Sequence, residues 1–292
     1  MKQEFNKGLL LTSLGSFWWG FIGVLYFEYV SFIGHVELVV HRCLWTAIML
    51  ILTTTFISKW NIFLEIASNK TNLVGLFLSG ILIFTNWAVW IYAVANERII
   101  DASFGYFIMP IMSVLLGYIF FNENLNKKRI FSILLVFISI LILIFFNLKS
   151  LPWVGIIVAL SWAFYNLVRK KINVDTDIGL LIESLFIFPF ALIAFYMISK
   201  NGMNDFNLSS LGLSLFLILA GPMTVIPLFL YVRGVELIGL GPTGMIFYIT
   251  PTLQFILGYF YYNEDFSLIK FLSFILIWIA VFIYLKDLYE TN

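Results

Sequence analysis

Ten stretches of the chain contain no Asp, Glu, Lys, Arg or His: 8–27, 43–58, 71–96, 102–122, 130–148, 150–168, 184–199, 206–232, 237–263 and 271–285. Each is near the ~20 residues that one helical crossing of ~30 Å of hydrocarbon requires, and none is long enough for two. Of 292 residues, 62% are hydrophobic and 11% charged, whereas a soluble domain carries roughly 25% charged residues. So few charges cannot coat a water-facing surface, and the same balance excludes disorder. Backbone polar groups in lipid must find partners within their own segment, so the crossings are helices. Nothing alternates with period two, as a barrel would. The expected fold is an all-α integral membrane protein of ten transmembrane helices.

Two runs are too short. Runs 43–58 and 184–199 hold 16 residues each, about 24 Å of helix. Lys59 and Lys200 close their C-terminal ends, so both helices must begin earlier. His41 and Arg42 are thereby drawn into the second crossing and Glu183 into the seventh. The side of the N-terminus carries Lys2, Lys7, Lys59, Lys70, Lys127, Lys128, Arg129, Arg169, Lys170, Lys171, Arg233 and Lys286. The other side carries Arg98, Lys149, Lys200 and Lys270. Twelve cations against four is a positive-inside bias that puts both termini in the cytoplasm. The N-terminus resembles a signal peptide superficially, but its apolar run is too long and no A-x-A site follows, so it reads as a retained first crossing.

Net charge is +1 and Cys43 is the only cysteine. No field draws nucleic acid, no disulfide forms within the chain, and Cys-rich metal sites are excluded. The G-x-x-x-x-G-K-[ST], H-E-x-x-H and G-x-S-x-G patterns are absent. The chain is expected to need no cofactor and to be no enzyme.

The halves match at a fixed offset. Pro110, Gly117-Tyr118 and Asn122-Glu123 stand 141 residues before Pro251, Gly258-Tyr259 and Asn263-Glu264. Trp19 and Trp162 are 143 apart, and His41 and Glu183 are 142 apart. Together these point to duplication, with a first five-helix repeat over 1–149 and a second over 150–292. Five is odd, so the second copy enters from the opposite face. That inverted arrangement gives two exchangeable conformations around a central cavity.

The chain resembles the EamA-type transporters of the drug/metabolite transporter superfamily, and within it the RarD branch. The resemblance rests on His41-Arg42-x2-Trp45, Asn86-Trp87-x4-Tyr92, the string from Ala102 to Pro110, Leu151-Pro152-Trp153, Trp162-x2-Tyr165-x3-Arg169-Lys170, Glu183-Ser184 and Tyr248-x2-Pro251-Thr252-x2-Phe255. It implies two five-helix repeats around a cavity, in the bacterial inner membrane, moving small metabolites or drugs. It does not fix a substrate.

Arg42 is the costliest side chain to place, about 2.5–3.5 kcal/mol at the centre of a crossing. One reading is a cation snorkelling from a helix end. The other is a cavity cation that binds a carboxylate or phosphate. Glu37 stands one turn before His41, so the two can pair. His41 is either a structural histidine or a proton carrier. Glu183 is either a second proton carrier or the partner of Arg169, Lys170 or Lys171. Asn86, Trp87, Trp19 and Trp162 fall near mid-crossing, where interfacial belts do not explain tryptophan; they pack helices or line an aromatic cavity. Tyr106, Tyr165 and Tyr248 are further wall candidates, with Asn166, Thr224, Tyr231 and Gln254 behind them. Pro110 and Pro251 are either gating bends or static kinks. Lys127-Lys128-Arg129 and Arg169-Lys170-Lys171 are read as topology signals. The expected function is secondary transport of a small organic solute by alternating access, with a lipid bilayer and protons as partners and a homodimer left open. A membrane-embedded enzyme and a lipid scramblase are the rivals.

Overall fold

A computed structural model describes residues 2–95, 99–147, 153–263 and 267–291. Arg98, Lys149, Leu151-Pro152 and Glu264, used above, lie outside them. Every regular element among the described residues is helical. Eight stretches are long and apolar enough to cross a membrane. The first combines α1 (Lys2–Phe17), a π-helical turn (Trp18–Ile22) and α2 (Gly23–Tyr29). The second is α3 (His35–Phe56). A short α4 (Trp60–Ser68) leads to α5 (Lys70–Ala95), α6 (Ile99–Phe121) and α7 (Lys127–Asn147). The remaining three are α9 (Thr176–Lys200), the pair α10 (Leu211–Ile218) and α11 (Ala220–Ile238), and α14 (Leu268–Thr291).

Two apolar runs fall outside the eight. The helix α8 (Trp153–Ile172) ends in Arg169, Lys170 and Lys171. The run 237–263 divides into α12 (Leu240–Ile246) and α13 (Ile249–Phe260). Pro251 stands in the first turn of α13, where its missing N–H removes no helical bond; it starts a helix rather than kinking one. Pro110 is interior to α6. The extensions that the two short runs demand are present: α3 starts at His35 and α9 at Thr176.

Sequence-adjacent helices are not the main packing partners. The α3 helix lies on α9, α7 on α14, α6 on α12, α1 on α11, and α5 and α6 both on α8. Small residues permit the closest approaches. A Cβ on Gly20 would stand 2.9 Å from the Thr250 carbonyl oxygen, which brings the π-turn against α13. At Gly221 a Cβ would stand 2.6 Å from the Trp45 carbonyl oxygen, where α11 crosses α3. Asn122 and Asn263, paired by the repeat, both take left-handed conformations, with φ of 53° and 54°. Asparagine tolerates that region and ends helices there. The outside is apolar: Phe56, Phe145, Phe190 and Phe260 are each more than 70% exposed, as a lipid-facing surface requires.

Candidate functional site

A cavity of about 520 Å³ lies between α2, α3, α5, α6, α8, α11 and the α12–α13 break. Its inner wall is aromatic. Trp19 and Trp162, the two tryptophans matched by the repeat, meet edge to face with ring centroids 5.1 Å apart. Phe247, at the break, closes this corner 6.1 Å from Trp19, 6.2 Å from Trp162 and 5.9 Å from Tyr106. Trp19 is on the π-turn, a distortion that recurs at functional sites because it redirects side chains. At the mouth, the exposed Glu28 carboxylate accepts a 2.5 Å hydrogen bond from the Tyr262 hydroxyl.

Arg42 reaches this cavity from α3. Its Nε donates to Thr224 Oγ1 at 3.0 Å, and its guanidinium carbon is 4.7 Å from the Trp87 ring and 5.3 Å from the Phe27 ring. Asn86 spends its amide N–H groups on the Val158 carbonyl at 2.9 Å and Ser161 Oγ at 3.1 Å, tying α5 to α8 beside the wall. The structure thus collects Trp19, Arg42, Asn86, Trp87, Tyr106 and Trp162 around one space.

Thr224 and Gln254 line the cavity as well, and the remaining expected residues lie behind that wall. His41 turns toward Phe195 and Phe206, with Nε2 3.4 Å from Glu37 and Nδ1 accepting from the Trp45 indole at 3.2 Å. Tyr248 donates to the Phe107 carbonyl at 2.7 Å. Tyr165 is fully buried and donates to Glu183 at 3.2 Å. Glu183 also accepts from Ser79 Oγ at 2.5 Å and stands 3.6 Å from Arg169. Arg169, read from sequence as a topology signal and as one of three candidate partners of Glu183, is a buried counter-ion, 3.9 Å from Glu236 as well. The signal was available: α8 runs on to Ile172, and 162, 165 and 169 share one helical face.

The end of the bundle away from Glu28 is closed. Glu123, just past α6, accepts from the N–H groups of Leu240 at 2.7 Å and Gly241 at 2.8 Å, and Lys170 Nζ is 3.7 Å away. At the same end Lys59 bridges Asp175 at 3.1 Å and Asp177 at 2.9 Å. Burial pulls the Lys59 ammonium down, but its bonds to the two carboxylates outweigh this and raise its pKa. Burial likewise opposes ionisation of Asp175, yet hydrogen bonds from its neighbours hold it below the usual carboxylate value. Phe27, Glu28, Phe247 and Tyr262 gave no signal in the sequence, and Glu123 only as a member of the repeated string, because each acts through a neighbour distant in the chain. Among the described residues, no cluster of His, Cys, Asp and Glu is arranged to hold a metal ion.

The sequence pattern of the EamA-like transporter family matches residues 6–145 and again 150–286. Protein RarD of Escherichia coli K12 is 31% identical over 290 residues, covering 99% of this chain and 97% of that one. The uncharacterized transporter YojE of Bacillus subtilis 168 is 33% identical over 284 residues, covering 96% and 94%. A solved structure titled only as a crystal structure of a protein superposes with a TM-score of 0.72 at 14% identity, covering 95% of this chain and 96% of that one; it speaks to the fold. By a pattern matched twice and relatives aligned almost end to end, this multi-pass membrane protein belongs to the EamA-like transporter family.

Proposed function

We propose that the chain is a ten-pass secondary transporter of the bacterial inner membrane, built as inverted repeats over 1–149 and 150–292, with both termini cytoplasmic. It moves a small organic metabolite or drug by alternating access. The observation that carries this is the aromatic cavity, open at the Glu28 end and closed at the Glu123 end. The helix pairing supports the inverted repeat. A twofold that exchanges the first five crossings with the last five maps α3–α9, α7–α14 and α6–α12 each onto itself. It also maps α1–α11 onto α8–α5, and these are the pairs that pack. Such symmetry makes two oppositely open states close in energy.

Arg42, Trp87, Asn86, Tyr106, Trp19 and Trp162 hold the solute. Tyr165 and Tyr248 support that wall from behind. Where protons are moved, His41 and Glu183 carry them. Pro110, inside α6, and Pro251, beside the α12–α13 break, are the bending points about which the repeats rock. Two experiments test the reading. Cysteines placed at both termini are expected to react from the cytoplasmic side only; labelling on opposite faces refutes the inverted arrangement. Purified protein in liposomes is expected to support counterflow of a bound solute, and its absence with folded protein refutes transport.

A further inference from the structure

Arg42 differs from the other described arginines. Arg129 is 2.9 Å from Asp287, Arg169 is 3.6 Å from Glu183, and Arg233 is 2.8 Å from Glu236. No described carboxylate pairs with Arg42. Its Nε is pinned by Thr224 Oγ1, which itself donates to the Ala220 carbonyl at 2.8 Å. The rings of Trp87 and Phe27 stabilise the charge through their π electrons. They offer no acceptor for N–H, and no described residue offers one to Nη1 and Nη2. An arginine in a low-dielectric site, with one nitrogen fixed and its outer edge free, is oriented for a planar acid.

From this we propose that the cavity takes an organic monoanion: one acid group on Arg42, carried by a flat apolar body lying among Trp19, Trp162, Tyr106 and Phe247. This rests on reading the cavity as the solute site. Charge sets the number of acid groups. Among the described residues of the cavity wall, Arg42 is the only cation and Glu28, at the mouth, the only anion. A second negative group on the solute would be buried without a partner or face Glu28, and either is unfavourable. A neutral body without the acid would leave the Arg42 edge unpaired once water is expelled.

The test is equilibrium dialysis of the detergent-purified full chain with radiolabelled benzoate, at up to millimolar concentration. Benzyl alcohol, benzylamine and phthalate serve as competitors of the same ring size. Benzoate is expected to bind saturably, and each competitor at least about tenfold more weakly than unlabelled benzoate. Arg42→Gln is expected to weaken benzoate about ten- to hundredfold, the range for a charge-assisted bond, with Arg42→Lys between. Benzyl alcohol or benzylamine competing as well as benzoate in the wild type overturns the proposal without recourse to any variant. So does a failure of benzoate to saturate, or wild-type affinity in Arg42→Gln. Equal binding of neutral and anionic probes leaves the transport reading intact, whereas failure of counterflow with benzoate bound removes that reading and keeps the anion site.

Discussion

Replacing Glu123 by Ala removes both acceptors from the first two N–H groups of α12. A hydrogen bond to a charged group contributes about 1.5–3 kcal/mol when desolvated, and a helix cap about 0.5–2 kcal/mol. Glu123 is 18% exposed, so water replaces part of what is lost and the Lys170 ion pair adds little. The two bonds together then stabilise the closed end by about 2 kcal/mol, or about thirtyfold in its opening equilibrium. A Cβ on Gly239 would collide with this carboxylate and one on Gly241 with it and the Tyr284 hydroxyl, and Gly239 takes φ of 96°, which favours glycine. Thr243, fully buried one turn behind the cap, reports opening when changed to cysteine in a protein whose buried Cys43 has been replaced by serine. Its modification by a small methanethiosulfonate is expected to run about thirtyfold faster in Glu123→Ala and to be intermediate in Glu123→Gln. Rates within twofold of the parent, with the helical spectrum intact, would refute Glu123 as the latch.

Gly221→Ala places a methyl group 2.6 Å from the Trp45 carbonyl oxygen; overpacking costs about 1–3 kcal/mol, so thermal unfolding is expected several degrees lower, and an unchanged midpoint would show that α3 and α11 are not held at this spacing. The Lys59–Asp175 link has two pH limbs. The folded Asp175 pKa is depressed, so its contribution is present above the ordinary carboxylate value of 3.8 and is lost as pH falls through the lower folded value. The folded Lys59 pKa is raised, so its contribution is complete below 10.5 and is lost as pH rises through the higher folded value. Lys59 and Asp175 are 29% and 31% exposed, which keeps the effect below about 1 kcal/mol. Asp175→Asn is expected to shrink the acid limb of the midpoint-against-pH curve, to which other ion-paired carboxylates such as Asp287 contribute, and to lower the alkaline one; identical profiles would show that the bridge stabilises nothing.

Chain reading went furthest where a property is local. The charge-free runs yielded the helical class and eight stretches able to cross a membrane, because insertion into lipid is decided segment by segment. The shortness of 43–58 and 184–199 placed His41, Arg42 and Glu183 inside helices, by length alone. Orientation around a helix axis is not written in the chain. His41 and Arg42 are neighbours, yet one turns to Phe206 and the other to the cavity; a step of about 100° separates them, and only the packed neighbours say which faces inward. The sequence left Arg169 open between a topology signal and a partner of Glu183; only the packed Glu183 from α9 and Glu236 from α11 decide for the buried pair.

The order of residues alone therefore determined a membrane-embedded helical bundle of duplicated halves, with one arginine that lipid would not tolerate unaided. Tertiary packing decided what that arginine meets. It brought Thr224, Trp87 and Phe27 around Arg42 from three other helices and left its outer edge without a partner among the described residues. Hydrophobicity is summed along a chain, whereas a binding site is a coincidence of distant segments, and the second is fixed only when the helices meet.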